Sequence, residues 1–407
     1  MKAQALSAYI EARGFLEASL TALSKLPRTR KHIEQEIDLR FNMRSALFPL
    51  GRHDDWADHV RVAQSLAEEI DDKSHLANAY NYLAGHLWIR GRHEEAIKLG
   101  MESCRLSQSI GDLSLRVTTR LHLGIPYLYT GEIEKQITLH QEAVILLNGP
   151  DILKRHGFTT VPAITLRGYL AWGAAERGDF KNAKVWAGEG LELSGQVKNL
   201  MTSVFVRACV GYAYLRKGDL DKALAILLDT LKLSREGEVQ SIFSFVAGSL
   251  GNVYLHMGQP ENALPILIEG VDRRYSESSI TPPLYTLATL SEAYLQHGLI
   301  NKAEDFIKKA LDIFHNTGER CFGAWSLLIA AKIHFKTNDE RRGEQKLRQA
   351  IDIAERLKMW PLQAHCYFEL GKSLMKHKDT ECQKYFKKSV DLFRSLDMNF
   401  WLPDAET

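Results

Sequence analysis

Cysteine, proline and charge imbalance are all scarce in this chain of 407 residues, and each scarcity excludes something. The five cysteines (Cys104, Cys209, Cys321, Cys366, Cys382) are scattered, odd in number and never form C-x-x-C. That excludes a disulfide framework or a cysteine zinc site and fits a reducing, cytoplasmic setting. Eleven prolines and no low-complexity tract argue against disorder. With 52 Lys+Arg against 50 Asp+Glu there is no bulk charge to favour nucleic acid or an anionic membrane. No stretch nears the roughly 20 apolar residues of a membrane helix, and the opening MKAQALSAYIEARG has no signal-peptide core. A G-x-x-x-x-G-K-[ST] phosphate loop is also missing, which removes the commonest ATP-binding device.

What the chain does have is a period. A small turn residue before a polar helix start recurs at Gly51, Gly91, Gly131, Gly178, Gly218, Gly258, Gly298 and Asn338. Every step is 40 residues except the 47 between Gly131 and Gly178. Five positions later stands a small residue (Ala96, Ala183, Ala223, Ala263, Ala303, Gly343), and seven positions earlier another (Ala84, Gly124, Ala171, Gly211, Gly251, Ser291, Ala331). Four positions earlier an aromatic is common, as at Tyr127, Tyr214, Tyr254 and Tyr294. A ninth, shorter unit carries Gly371 and a turn near His377, Lys378 and Asp379.

This pattern predicts two antiparallel helices of about 17 residues and ~25 Å per unit, joined by a tight turn. The turn residue takes the left-handed conformation that ends a helix, and small residues sit where two backbones approach. Apolar residues at three-to-four spacing and the absence of strand-like alternation make the chain all-α. Pro260, Pro283 and Pro361 fall at expected helix starts, whereas Pro126 falls inside one and should kink it. Since each unit buries its apolar face only against neighbours, the expected fold is a right-handed superhelical solenoid of about nine helix pairs. One helix near residues 3–24 precedes it. The last helix, ending near Leu396, Asp397 and Met398, caps it, with Phe400, Trp401 and Leu402 placed to dock back. The long step contains Gly149, Pro150, Gly157 and Pro162, so residues 149–162 read as an insertion loop. It divides an N-terminal block (1–148) from a C-terminal block (163–407).

The small-x2-aromatic-x3-Gly-x4-Ala frame resembles the tetratricopeptide repeat, with 40 residues per unit instead of 34. Beyond the repeat, the chain resembles the C-terminal regions of bacterial signalling proteins in which a class III adenylate cyclase domain and an AAA-type ATPase precede such repeats. The resemblance rests on three stretches: LTALSKLPRTRKHIEQEIDLRFNMRSALF, KRHGFTTVPAITLRGYLAWGAAERGDFKNA, and the closing MWPLQAHCYFELGKSLMK with FRSLDMNFWLPDAE. Neither catalytic domain of those relatives is present, so the resemblance implies a sensing or scaffolding module with no cofactor.

No catalytic constellation survives inspection. Cys366 has His365 and Glu369 nearby in sequence, but adjacent helical residues diverge by about 100° and do not meet. His86 and His93 are separated by a turn and lack a third ligand. The pairs Glu68-Glu69 and Glu94-Glu95 read as solvated helix faces. The expectation is a non-enzyme.

The tetratricopeptide resemblance places the first helix of each unit on the concave face. One register along those helices reads Phe205, Phe245, Tyr285, Trp325 and His365, a second Trp172, Tyr212, Asn252, Glu292, Lys332 and Lys372, and a third Glu176, Arg216, His256, Gln296, Lys336 and Lys376. The aromatics either contact a partner or pack between neighbouring helices. Lys332, Lys336, Lys372 and Lys376 either attract an acidic partner or form a solvated face. Two functions remain open: a scaffold binding a peptide or partner domain in an open groove, or a sensor with an enclosed apolar pocket of a few hundred Å³ for a small molecule. Near-neutral charge and the lack of a recognised motif disfavour nucleic acid.

Overall fold

The computed structural model describes residues 2–50, 52–147, 149, 152–156, 158–237, 239, 241–275, 283–376 and 380–406. Among these there is no β-strand. After α1 (Lys2–Leu23) come nine helix pairs: α2 (Arg30–Leu47) with α3 (His53–Glu69), α4 (Lys73–Ile89) with α5 (His93–Ile110), and α6 (Leu113–Thr130) with α7 (Ile133–Leu146). Then follow α8 (Pro162–Arg177) with α9 (Phe180–Gly195), α10 (Leu200–Lys217) with α11 (Leu220–Glu236), and α12 (Phe243–His256) with α13 (Pro260–Tyr275). The last three pairs are α14 (Leu284–Gln296) with α15 (Ile300–Thr317), α16 (Arg320–Lys336) with α17 (Glu340–Leu357), and α18 (Trp360–Lys376) with α19 (Cys382–Ser395). A short α20 (Leu402–Glu406) ends the described chain. The fold is the helical-repeat solenoid that the 40-residue period predicts.

The period acts through its turns. Gly91, Gly131, Gly178, Gly218, Gly258, Gly298 and Asn338 all have positive φ, from 60° to 91°. The residue after the turn donates its N–H to the carbonyl five residues back: Asp179 to Ala174 at 2.9 Å, Asp219 to Tyr214 at 3.0 Å, Gln259 to Tyr254 at 2.9 Å, Leu299 to Tyr294 at 2.9 Å and Asp339 to His334 at 2.9 Å. This six-to-one bond satisfies a carbonyl that the helix end leaves open. The small positions are required by contact. A side chain on Gly211 would place Cβ 2.5 Å from Leu227 Cγ, and one on Gly251 would reach Leu267 at 2.5 Å. Gly51 and the turn near His377, Lys378 and Asp379 lie outside the described residues.

The turns that lead from one pair to the next repeat too, on residues with no common identity. Asp71, Gly111, Gly318 and Lys358 all have positive φ there, as does Asp397 after the last pair. Pro126 does not end its helix, because α6 runs through it to Thr130.

The chain forms two compact units and passes from one to the other between Pro126 and Tyr127, inside α6. The stretch between α7 and α8 belongs to the second unit. The first unit has a core of Met43, Leu47, Trp56, Ala57, Val60, Ala79 and Leu83, with the Arg44 guanidinium 4.7 Å from the Tyr82 ring centroid. In the second unit the final pair packs on the early ones. Met398, Phe393 and Ala364 share a cluster with Ala174, Ala175, Phe180 and Ala213. At its other edge Lys358 Nζ donates to Glu134 at 2.8 Å. No helix among the described residues is long and apolar enough to cross a membrane.

Candidate functional site

In the second unit the first helices of the pairs, α8, α10, α12, α14, α16 and α18, face inward. An open solenoid would leave a solvated stripe along each. Here α8 has none, since every residue from Pro162 to Glu176 is buried. Among the described residues of the second unit, the last pair packs on the first and the unit's own rings fill the space between their inner helices.

The filling is aromatic. Trp172 stacks on Phe245 with centroids 4.6 Å apart, and Tyr285 stacks on Phe322 at 4.6 Å. Tyr212 bridges them, 5.3 Å from Phe245 and 5.7 Å from Tyr285. Phe205 lies to one side against Tyr169 at 4.7 Å. Within the first register, Phe245 lies 5.8 Å from Tyr285 and Trp325 lies 5.8 Å from His365; Trp172, Phe205, Tyr212 and Tyr285 are buried and Phe245 is only partly exposed. Interior packing, one of the two readings of these rings, is what the structure contains. Tyr129, Tyr169 and Phe322 belong to the same cluster and fall outside the registers followed in the sequence.

Beside the rings lies a layer of charge. The Glu176 carboxylate accepts from the Tyr212 hydroxyl and from Trp325 Nε1–H at 3.0 Å. Arg216 Nε lies 3.5 Å from the same carboxylate and donates to Tyr212 Oη at 2.8 Å. Burial works against the Arg216 charge, but Tyr212 and Glu176 outweigh it and hold the group above its ordinary pKa. A second pair follows: Lys332 Nζ donates to Glu292 at 2.7 Å. Burial disfavours both charges. For Glu292 the nearby Lys332 prevails and keeps its pKa below the usual carboxylate range, and for Lys332 the Glu292 charge prevails in the opposite sense.

The lysine row comes apart in the structure. Lys332 is half-buried and paired, while Lys336, Lys372 and Lys376 are exposed. Lys372 meets Glu369 at 3.1 Å and Lys376 meets Glu340 at 3.6 Å. Such surface pairs contribute about 0–1 kcal/mol, and they partly neutralise the basic face the sequence suggested.

Between the two charged pairs remains a cavity of about 40 Å³, bordered by Asn252, His256, Tyr285, Lys332, His365 and Trp401. Asn252 is 6% exposed, and its Oδ1 has no hydrogen-bond partner. The Tyr285 hydroxyl sits beside Ser249 and Asn252 without a well-formed bond to either. Burial pushes the His256 pKa down to about 4 and His365 well below its ordinary value, so both rings are neutral at pH 7.

Trp401 reaches this cavity from the closing segment. It packs on the cluster that includes Phe393 of α19, and its indole also meets His256 of α12 at 4.5 Å and His365 of α18 at 4.7 Å. The thiol of Cys366 is fully buried and burial pushes its pKa up, so it is no thiolate nucleophile.

No protein-family model matches the chain, and no curated protein matches its sequence. Solved structures do match in fold. A Rap protein complexed with competence and sporulation factor superposes with a TM-score of 0.64 at 13% identity, over 87% of this chain and 98% of that one. NprR in complex with its cognate peptide NprX gives 0.58 at 11% identity, over 90% and 100%. The Rap conjugation gene regulator of plasmid pLS20, solved with a Phr peptide, gives 0.56 at 14% identity, over 85% and 94%. At these identities the likeness establishes the helical-repeat fold.

Proposed function

We propose that the chain is a non-catalytic regulatory scaffold that recognises a peptide, or a peptide-like segment of a partner protein, on the inner face of its second unit. The observation that carries this reading is the charged layer of Glu176, Tyr212, Arg216, Trp325, Glu292 and Lys332. An interior that served packing alone would be apolar, because buried ion pairs give up hydration that they barely recover. Polar groups held in place beside aromatic rings suit the alternating amides and side chains of a peptide. Two of the three fold neighbours named above were solved with a peptide and the third with competence and sporulation factor, which agrees with this assignment.

The cavity beside Asn252, at about 40 Å³, is far below the 300–1,000 Å³ of typical ligand sites and does not by itself support a small-molecule sensor. Preference for an acidic partner also loses ground, because Lys332, Lys372 and Lys376 already face carboxylates. A regulatory role beside a nucleotide cyclase, in the cytoplasm, is the setting that the sequence resemblance suggests.

The test is selection of short random peptides on the full chain, followed by affinity measurement on Asn252→Ala. Asn252 Oδ1 has no partner to lose, so the variant should keep its melting temperature and bind the selected peptides at least tenfold more weakly. If no peptide is selected, or if selected peptides bind the variant unchanged, the reading is wrong.

A further inference from the structure

The segment 397–402 occupies the mouth of the inner face. Asp397 is exposed and ion-pairs with Lys217 at 2.9 Å. Met398 is fully buried, and its N–H donates to Phe393 O at 2.8 Å. Phe400 lies so close to the Gly218 turn that a Cβ on that glycine would come within 2.8 Å of Phe400 Cβ. Trp401 then enters edge-on between His256 and His365.

Two features set this apart from a simple cap. The apolar anchoring does not rest on the indole alone, since Phe393, Met398 and Ala405 share one cluster with α8 and α10 residues, on which Trp401 and Leu402 also pack. And the indole leaves two polar atoms unanswered within the protein: Trp401 Nε1 has no protein acceptor, and Asn252 Oδ1 in the adjoining cavity has no protein donor. A buried polar group left without a partner works against the arrangement that buries it. A ring that fits the slot in shape while leaving those groups unpaired is an occupant that a better-matched one can replace.

We propose that the slot between His256 and His365 is the anchor pocket for an aromatic residue of the partner peptide, filled within the chain by Trp401, and that the partner binds by displacing residues 397–402. The inference rests on the inner-face reading given above. The occupant defines the partner's chemistry: an aromatic side chain preceded, four residues earlier, by a carboxylate that takes the place of Asp397 at Lys217. Both histidines are neutral at pH 7, so the slot receives a ring and not an anion.

The test uses a fluorescent synthetic peptide of residues 394–405, added to the full-length chain and its variants. Wild type should bind it weakly, because the slot is occupied. Trp401→Ala should bind it at least tenfold more tightly. Asp397→Lys, at an exposed position where folding is not at stake, should loosen the segment and give an intermediate gain. Equal binding to wild type and both variants, or no binding to any, overturns the proposal. If Trp401→Ala does not fold, Asp397→Lys decides alone. Should the exchange fail while randomly selected peptides still bind in an Asn252-dependent manner, the inner-face reading stands and only the anchor pocket falls.

Discussion

The Arg216 guanidinium lies over the Trp325 indole, 3.7 Å from its ring centroid. The same indole donates its N–H to Glu176, the carboxylate that faces Arg216. One tryptophan thus stacks on the cation and hydrogen-bonds the anion of a single buried pair. The Tyr212 hydroxyl, donating to Glu176 and accepting from Arg216, closes the arrangement.

Tyr212→Phe should therefore destabilise the chain by about 2 kcal/mol, because it removes one hydroxyl and leaves two buried charges short of a partner. Urea denaturation measures this, and Trp325→Phe, which keeps a ring but loses the N–H, should lie in the same range. A loss below about 0.5 kcal/mol for both would mean that solvent reaches this layer.

Phe245→Ala and Tyr285→Ala should each cost about 3–5 kcal/mol, the usual range for removing a ring from a packed interior. The sequence allowed a contact surface here, for which stability would hardly change. Thermal melts separate the two outcomes.

The turn glycines give a graded series. Gly258 and Gly218 both have positive φ, at 70° and 91°. A Cβ on Gly258 meets nothing within 4 Å, so Gly258→Ala should cost only the conformational penalty of about 1–2 kcal/mol. A Cβ on Gly218 collides with Phe400 and comes 3.1 Å from Trp401 Nε1. Gly218→Ala should cost more than Gly258→Ala and should also release the segment 397–402, read out as faster proteolysis there.

Acid should destabilise the chain through its buried histidines. Burial pushes His93, 3% exposed, down to about 4, whereas an unfolded histidine titrates near 6.5. Between those values the unfolded state binds a proton that the folded state refuses, so stability falls as pH drops from 6.5 to 4 and does not fall further below that on this account. At about 1.4 kcal/mol per pH unit, His93 contributes about 3 kcal/mol to that loss. Denaturation of His93→Gln across this window should show a correspondingly shallower slope.

The fold was legible because its period is written in residues that have little choice. A left-handed turn selects Gly or Asn, and contacts such as Gly251 against Leu267 admit no side chain. The turns between pairs were hidden because Asp71 and Lys358 adopt the same conformation without being glycine. At the site, the registers held Glu176, Tyr212, Arg216 and Trp325 in three separate rows and did not show that the four meet in one layer. They could not reveal that this layer is enclosed, since closure depends on contacts such as Trp401 with His256, 145 residues apart in the sequence. Tyr129 and Phe322 join the aromatic cluster from helix ends that no register follows.

Hydrogen exchange of residues 397–402, with and without a peptide selected on the full chain, tests the central claim most directly. Alone, the amides of Met398 and Trp401 should be protected, since they donate to Phe393 and Met398 carbonyls. At saturating peptide that protection should be lost while the amides of α8 and α10 stay protected. Protection that persists or rises at Met398 and Trp401 with the peptide bound would contradict both the displacement of this segment and its place at the mouth of the binding face.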